Sequence, residues 1–575
     1  MARAGASYPQ VEPGTAALMD TRISAAPLRQ SVGRALDLCR ATGARALVLG
    51  RGRLVREVDL ARAAGWSLHA VPAAALAWRD LPSVDVAASE IDVRRIFLAG
   101  APIVLVRAGP RVVGSIDGES TGLARPALSV GARLEHPESR QGEARLWLLR
   151  LAGKVGEGMG AAVFAVGGFV RDLLLGRSAP DVDLVVAGDG VVFARRLAEE
   201  VGGSLSVHTA FGTASIEGGA AGGAPLGRVD VASARRERYE APGALPAVSP
   251  AGILEDLGRR DFSVNAMAVA LAPSAFGRLS DPFGGQRDLR QRLLRPLHPL
   301  SFVEDPTRIF RAARYGARLG MSLGVSGRAA LGLALRVGDF PALSGHRLRV
   351  EIDLLAAEAT ARLAFERLLA WRAFKIWHGE YRASERSRRH IRSAERFRGW
   401  ARKTGIAVDG GDLALVALLG DQRRRVVGGC LERLAVSGEP RAILEAAVAV
   451  RPLVRRLDRA RRPSEVAEVL RPSPVTVLAG AWLKATRRAR RRVEWFLSEG
   501  RAARPLLSGD EVVALGVPRG PAVGECLAAL RRFRLDGMAA SIARERAYVR
   551  RWLRDSGRND PHLRRNDSHL KGGVR

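Results

Sequence analysis

The chain has 575 residues, of which 47% are hydrophobic and 26% are charged, a composition typical of globular proteins with several domains. Its 91 Lys and Arg against 59 Asp and Glu leave a net charge of +32, which favours a polyanionic partner, most often nucleic acid. No apolar run reaches the roughly 18 residues of a membrane helix, and three distant cysteines, Cys39, Cys430 and Cys526, exclude a disulfide framework. We therefore expect a cytoplasmic protein without membrane spans. An arginine-biased genome is the alternative source of the arginines, although such a bias does not by itself create excess positive charge.

Residues 1–20 are rich in Gly, Pro and Ala, and we expect them to be disordered. Two α/β patterns about 57 residues apart follow and indicate an internal repeat. The predicted elements are a helix at 32–42 with strands at 46–49 and 53–55, and a helix at 91–98 with strands at 103–106 and 112–114.

This repeat resembles a pair of CBS modules, so residues 21–135 are interpreted as a degenerate CBS-like pair. Neither copy keeps cleanly the Thr and Asp that hold a nucleotide in that family. A structural or dimerising role is therefore favoured over nucleotide sensing, and a homo-oligomer formed through this region stays open.

A glycine turn opens the most informative stretch of the chain. The apolar residues 163–166 predict a buried strand that ends in Gly167 and Gly168 and leads into a helix at 169–175. Glycines at such a turn let backbone N–H groups approach a phosphate, and Arg171 adds a guanidinium in the first helical turn. We expect Gly167, Gly168 and Arg171 to bind a triphosphate.

Paired carboxylates follow this turn. Asp181 and Asp183 are two residues apart in an apolar strand, so both side chains point to one face. Two such anions repel each other unless a divalent cation lies between them, and Mg²⁺ prefers oxygen ligands. A two-metal phosphoryl transfer needs a further carboxylate, and Asp230 in the alternating segment 228–232, after a strand at 213–217, is the best candidate.

Four motifs in order resemble those of class II nucleotidyltransferases, the family of bacterial tRNA CCA-adding enzymes and poly(A) polymerases. The motifs are Val-Gly-Gly-Phe-Val-Arg-Asp at 166–172 with Asp-Val-Asp-Leu at 181–184, Arg-Arg-Asp-Phe-Ser-Val-Asn-Ala at 259–266, Asp-Pro-Phe-Gly-Gly at 281–285, and Glu-Asp-Pro-Thr-Arg at 304–308. A weaker fifth motif is Ser-Gly-His-Arg-Leu at 344–348.

The resemblance implies a multidomain fold of α/β and all-α parts. A nucleotidyltransferase head with a small mixed sheet would occupy 136–297, after the CBS-like pair. A helical neck for base recognition would occupy 298–375, and a helical body and tail for RNA binding 376–553, with a disordered tail at 554–575. Arginine clusters in the body could track RNA phosphates, with Trp482 and Trp495 beside one of them.

The second motif resembles the family's ribose and triphosphate site, which assigns Arg260, Asp261 and Asn265 to those groups. Asp261 could accept a hydrogen bond from a ribose 2′-OH, and Asn265 lies one helical turn further on the same side. A capping Asp beside a surface Arg is the structural alternative.

The fourth motif supplies an acceptor beside a donor. Asp305 and Arg308 are at i and i+3, so we expect them on one face of a helix that begins near Glu304. Such a pair could bind the Watson–Crick edge of adenine or cytosine, and the resemblance adds Glu304 and Arg311 to base recognition. An ordinary helix salt bridge is the alternative.

The resemblance implies that the 3′-OH of an RNA attacks the α-phosphate of ATP or CTP and that pyrophosphate leaves. Two Mg²⁺ ions would be held by Asp181, Asp183 and Asp230. Residues 207–214 lack the Gly-Arg-Arg-Phe-type stretch of bacterial poly(A) polymerases, which favours the tRNA 3′ end as the substrate. Poly(A) synthesis on other RNAs and a non-catalytic RNA- or nucleotide-binding protein stay open, as does the choice among CCA, CC and A addition.

Overall fold

The computed structural model describes residues 15–50, 52–98, 101–117, 128–129, 140–177, 181–208, 212–221 and 224–559. The chain divides into two compact units. The first comprises the chain up to Glu351 together with Glu358–Leu368, and the second comprises Ile352–Ala357 and the chain from Leu369 onward. Most of the predicted N-terminal disorder, residues 1–14, and of the predicted disordered tail, residues 560–575, lies outside the described residues.

The first unit begins with a repeated β–α–β–β arrangement. Its elements are α1 (Thr15–Leu18), β1 (Ile23–Ala26), α2 (Val32–Thr42), β2 (Ala46–Leu49), β3 (Arg53–Arg56), α3 (Glu57–Gly65), β4 (Ser83–Asp85), α4 (Glu90–Leu98), β5 (Ile103–Ala108) and β6 (Arg111–Asp117). In each copy the first strand is parallel to the second, and the second is antiparallel to the third. The predicted helix and two strands of each copy are therefore confirmed, and each copy has a further strand before its helix. Leu54, Trp78, Ile103 and Leu105 join the two copies in one apolar cluster.

The middle of the first unit is built on a mixed sheet, as predicted, that has eight strands in the described part of the chain. The elements of this region are β7 (Leu128–Ser129), α5 (Arg140–Gly158), β8 (Ala162–Val166), α6 (Gly167–Leu174), β9 (Val182–Ala187), α7 (Gly190–Val201), β10 (Ser204–His208), β11 (Thr213–Glu217), β12 (Ala220–Ala221), β13 (Ala224–Pro225), β14 (Val229–Ser233), β15 (Arg235–Arg238), β16 (Ala247–Pro250), α8 (Ile253–Gly258), β17 (Ala268–Ala270), β18 (Arg278–Ser280), α9 (Gly285–Gln291) and β19 (Leu293–Leu294). The strand order is β10-β11-β14-β9-β8-β17-β18-β7. The pair β14–β9 is parallel, whereas every other pair in the sheet is antiparallel.

Helices follow the sheet in the first unit. They are α10 (Ser301–Glu304), α11 (Thr307–Leu319), α12 (Val325–Val337), α13 (Gly345–Ala357) and α14 (Ala361–Trp371), with β20 (Ser322–Leu323) parallel to β19. The prediction that Asp305 and Arg308 share a face of one helix is wrong, because Asp305 is extended, with φ −132° and ψ 94°, and separates α10 from α11. Pro306 is the physical cause, since proline disfavours the helical conformation of the residue before it.

The second unit is helical, with the predicted periodicity. Its further helices are α15 (Glu385–Lys403), α16 (Gly410–Leu419), α17 (Arg424–Arg433), α18 (Gly438–Val448), α19 (Arg451–Arg459), α20 (Pro463–Leu470), α21 (Val475–Lys484), α22 (Arg487–Trp495), α23 (Gly509–Ala514), α24 (Pro521–Leu535) and α25 (Ile542–Asn559). Helix α25 thus includes residues 554–559, which the sequence interpretation placed in the disordered tail. Throughout the described residues, every helix is too short or too polar to cross a bilayer.

Candidate active site

A row of polar side chains crosses three neighbouring strands of the sheet. Asp183 in β9 and Asp230 in β14 are register partners, and Ser215 in β11 is the register partner of Asp230. Register partners lie side by side on one face of a sheet, so the carboxylates of Asp183 and Asp230 are neighbours. Asp181 lies just before β9, two residues from Asp183, and is exposed. The structure therefore brings together the three carboxylates that the sequence pattern singled out.

These carboxylates have different surroundings. Burial, the nearby Asp230 and the nearby Asp181 raise the pKa of Asp183 above its usual value, although Arg260 opposes the shift. Asp230 accepts hydrogen bonds from Ser215 Oγ at 2.6 Å and from Arg228 Nε at 2.9 Å, both on Oδ1. Asp183 is thus a half-buried carboxylate without a hydrogen-bond donor from the described residues.

The donor set fits a hard divalent cation. Within the described ranges, no group of three or more His, Cys, Asp or Glu side chains is already arranged to hold a metal ion. However, Mg²⁺ commonly binds through one or two carboxylates and completes its shell with water and substrate phosphates. A buried anion that lacks a donor, beside two further carboxylates, meets that requirement in chemistry and in charge.

The glycine turn between β8 and α6 lies against this row. Gly167 has φ +67°, in the left-handed region that favours glycine. A methyl group on its Cα would lie 2.9 Å from Arg260 Nη1 and 3.4 Å from Asp183 Oδ2. The turn, the metal-binding candidate Asp183 and the predicted phosphate ligand Arg260 are therefore immediate neighbours. The helix begins at Gly167, two residues earlier than predicted.

Arg171 is buried beneath the turn, with an exposed fraction of 3%. Its guanidinium donates to both carboxylate oxygens of Asp172, at 2.9 and 2.8 Å, and Nη1 donates to Asn265 Oδ1 at 2.7 Å. Asn265 Nδ2 in turn donates to Asp261 Oδ1 at 2.9 Å. Asn265 and Asp261 are thus on the same side, as predicted, and Arg171 faces these side chains rather than solvent.

Asp261 is a buried anchor for Arg311. Arg311 donates to Asp261 Oδ2 at 2.8 Å. Burial opposes ionisation of Asp261, but Arg311, Asn265 and Arg308 outweigh it and lower the pKa of the carboxyl. The adjacent Arg260 is held differently, by Asp256 Oδ2 at 2.9 Å. Side chains of the second and fourth motifs are therefore locked to each other through charged hydrogen bonds.

The base-recognition candidates lie where α10 ends and α11 begins. Arg308 is buried, and its guanidinium donates to Ser301 Oγ and to the Arg259 carbonyl, both at 2.7 Å. Asp305 receives Thr307 Oγ1 at 2.6 Å and Arg347 Nη2 at 2.9 Å. Both contacts fall on Oδ1, which leaves Oδ2 as an acceptor without a donor from the described residues. The ordinary helix salt bridge between Asp305 and Arg308 is excluded by this geometry.

Comparisons with known proteins identify the family. A family model described as the poly A polymerase head domain matches residues 163–295. The CC-adding tRNA nucleotidyltransferase of Deinococcus radiodurans is 33% identical over 416 residues, which cover 72% of this chain and 95% of the relative. The chain belongs to the tRNA nucleotidyltransferase family.

A further relative and several solved structures show how much of each similar protein this tRNA nucleotidyltransferase family member covers. The A-adding tRNA nucleotidyltransferase of Geobacter sulfurreducens is 36% identical over 409 residues, which cover 68% of this chain but 45% of that relative, so the chain spans less than half of its length. The solved Thermotoga maritima CCA-adding enzyme complexed with tRNA_CCA is 26% identical, with a TM-score of 0.62, over 75% of this chain and 100% of that one. Solved CCA-adding enzymes that resemble this chain also include complexes with CTP and with ATP.

Sequence reasoning missed several contacts of the fourth motif. Arg347, in the weak fifth motif, binds Asp305, and its motif was the signal that could have found it. His298 Nε2 lies 3.0 Å from Glu304 Oε2, and Arg62 Nη1 lies 2.7 Å from Glu304 Oε1. Arg62 is 242 residues away in sequence and belongs to no recognised motif.

The helical second unit of this family member carries two basic cavities. One, of about 540 Å³, is lined mainly by cations of α15, α19, α21 and α22, with Asp421 as the acidic residue lining it: Arg386, Arg389, Arg392, Arg396, Arg451, Arg455, Lys484 and Arg490. Burial and Arg451 lower the pKa of Lys484 to about 8, as expected for crowded cations. The other, of about 670 Å³, contains Arg487, Arg488, Arg491 and Trp495. Trp482, by contrast, is buried against Phe397, so its ring is not available to stack on a base.

Proposed function

We propose that this protein is a template-independent nucleotidyltransferase that adds CMP, AMP or both to the 3′ end of tRNA. The observation that carries the proposal is the register pairing of Asp183 with Asp230 beside the Gly167 turn. A module that only bound RNA would gain nothing from a half-buried, donor-free carboxylate packed against two others. The names of the relatives support tRNA, and those of the solved complexes support ATP and CTP as nucleotides.

In this proposal Asp181, Asp183 and Asp230 hold Mg²⁺. When bound, the metal supplies positive charge to the triphosphate and lowers the pKa of the RNA 3′-hydroxyl that attacks the α-phosphate. The chain's own groups orient the substrate. The Gly167 and Gly168 backbone offers a close approach to the phosphates, and Arg260 adds a guanidinium beside that turn.

Arg171 and the second motif would act on the triphosphate and ribose through the network already described. Arg171 fixes Asn265, Asn265 fixes Asp261, and Asp261 fixes Arg311. Such a chain of charged hydrogen bonds holds its members in place before the nucleotide arrives, which lowers the ordering cost of binding.

Base choice would depend on Asp305 and Arg308. Adenine and cytosine each present an amino group next to a ring nitrogen acceptor, so an Asp acceptor and an Arg donor can bind either of them. Guanine and uracil present the opposite polarity at those positions. Glu304 would keep Arg308 in place, and Asp305 Oδ2 would accept from the amino group.

RNA binding would fall to the second unit. Its basic cavities combine many guanidinium groups with a single tryptophan, which suits phosphates and one unpaired base.

The proposed division into CBS-like pair, head, neck, and body with tail follows the motif boundaries. We also propose a cytoplasmic location, and light scattering of the full chain tests a homo-oligomer through the CBS-like region.

The decisive experiment supplies transcripts of one tRNA that end before, within and after the CCA sequence, with labelled CTP or ATP and Mg²⁺. Sequencing of the products distinguishes CCA, CC and A addition, and Asp183→Asn is the control. We expect one to three nucleotides to be added by the wild type and none by the variant. A long run of A added to unstructured RNA would instead indicate a poly(A) polymerase, the activity named in the description of the matching family model. If the protein binds nucleotide and RNA but incorporates no nucleotide into any RNA, a non-catalytic binding protein is the remaining alternative.

A further inference from the structure

Glu304 is a buried carboxylate that two arginines and a histidine share. Its exposed fraction is 5%, and it lies at the end of α10, directly before Asp305. Burial would raise its pKa, but His298, Arg308 and Arg62 lower it to about 2, so the carboxylate is ionised under all working conditions. A buried charge of this kind depends on every partner that it has, because an unsatisfied charged group is costly.

The partners divide between the two oxygens. His298 Nε2 lies 3.0 Å and Arg308 Nη1 lies 4.0 Å from Oε2. Oε1 is contacted at 2.7 Å by Arg62 Nη1, which is the donor that this oxygen has among the described residues. Arg62 thus holds Oε1, while Oε2 faces His298 and Arg308.

Arg62 reaches Glu304 from the N-terminal repeat. It lies on α3, whose buried face is formed by other residues, Asp59, Leu60, Ala63 and Ala64. Its own side chain is 41% exposed, and its guanidinium forms its ion pair with Glu304 rather than with an acid of its own repeat. The arginine is thus outside the buried face of its helix, and its ion pair is with a residue of the fourth motif.

We propose that Arg62 is a positioning residue for base selection, through which the N-terminal repeat takes part in choosing the nucleotide. The inference rests on the proposed assignment of Asp305 and Arg308 to the base. Arg62 fixes Oε1 of Glu304, so Oε2 stays directed toward Arg308 and His298. Without it, the carboxylate is free to turn toward His298 and Arg308, which changes the ion pair of 4.0 Å between Glu304 and Arg308.

The test compares wild type, Arg62→Ala, Arg62→Lys and a matched control, Arg94→Ala. Arg94 lies on α4 in the second copy of the repeat and pairs with Glu90 at 2.6 Å, so the control also removes an ion-paired arginine from this region. For each protein, kcat and KM are measured separately for ATP, CTP, GTP and UTP on the tRNA end that the wild type extends.

We expect Arg62→Ala to raise KM for the correct nucleotide and to reduce its kcat/KM advantage over GTP and UTP by roughly tenfold, as for loss of a charge-assisted hydrogen bond. Arg62→Lys should restore part of the selectivity, and Arg94→Ala should match wild type. An equal fall of kcat for all four nucleotides would indicate general destabilisation and overturn the proposal. Selectivity within twofold of wild type, or the same loss in Arg94→Ala, would also overturn it.

Equilibrium titration of each nucleotide separates this inference from the proposed function. If the wild type adds no nucleotide to any RNA, the proposed function fails. The role of Arg62 would still be supported if the wild type binds ATP or CTP in preference to GTP and Arg62→Ala weakens that preference. If the wild type incorporates selectively and binding is unaffected by Arg62→Ala, the proposed function stands and this inference fails. Binding without any preference in the wild type would overturn it as well.

Discussion

The Gly167 turn allows a direct test of the site, through Gly167→Ala. At φ +67° a residue with a Cβ loses about 1–2 kcal/mol relative to glycine. The added methyl would also lie 2.9 Å from Arg260 Nη1, closer than a Cβ tolerates, and 3.4 Å from Asp183 Oδ2. Because the end of an arginine side chain can move, we expect Arg260 to be displaced rather than the sheet to be distorted.

Gly202→Ala is the matched control. Gly202 has φ +66° at the end of α7, so alanine has the same backbone cost there, but a methyl group would meet no atom within 4 Å. Both variants should therefore lower the free energy of unfolding by about 1–2 kcal/mol in urea denaturation. Any further difference between them reports the contact with Arg260.

Activity should separate the two variants. For Gly202→Ala we expect a kcat/KM for nucleotide within about twofold of wild type. For Gly167→Ala we expect a loss on the order of 100-fold, which is typical when a reacting group is misplaced by about 1 Å. If Gly167→Ala loses stability as Gly202→Ala does but keeps wild-type kinetics, the turn does not cradle the triphosphate and the proposed site is wrong.

Three other changes test the remaining parts of the site. Asp183→Asn should abolish incorporation yet raise the free energy of unfolding at pH 7.5 without Mg²⁺. The pKa of Asp183 is raised in the folded protein, so the ionised carboxylate costs stability once the pH exceeds that pKa. A variant that is less stable than wild type in urea would contradict this. Arg308→Ala should relax base choice more than it weakens triphosphate binding, and unchanged preferences in a four-nucleotide competition would refute its base-reading role. Arg389→Glu combined with Arg455→Glu should weaken tRNA binding and reduce the slope of log K against log salt by about 2, whereas an unchanged slope would exclude this cavity as the RNA site.

Much of the site could be predicted because its chemistry follows local periodicity. Asp181 and Asp183 are two residues apart where β9 begins, a spacing that indicates neighbouring carboxylates, and the alternating segment 228–232 further along the chain offers Asp230 as a third. Buried strands and helices of the repeat are likewise set by short apolar patterns, which explains why their bounds agree with the structure to within a few residues. Such features need only the few residues on either side.

Other features depend on contacts that no local pattern encodes. Arg62 and Glu304 are far apart in sequence, and an arginine on an exposed helix face gives no sign of its partner. Arg171 reads as a phosphate ligand, yet the adjacent Asp172 captures its guanidinium. The break at Asp305 is a different case, because its cause is local: Pro306 disfavours a helical conformation at the preceding residue and outweighs the i, i+3 spacing of Asp305 and Arg308.

The net charge of the chain supports a function only when the positions of the charges in the structure are known. Around the fourth motif, arginines are neutralised in place: Arg311 by Asp261, Arg347 by Asp305 and Arg62 by Glu304. These cations position side chains and add little to an outward field. In the cavity of about 540 Å³ in the second unit, by contrast, eight Arg and Lys side chains share the single acid Asp421. The net charge of +32 therefore supports a polyanionic partner because part of the positive charge is concentrated in a cavity with few acidic side chains. That cavity belongs to the second unit, which is accordingly where we expect the polyanion to bind.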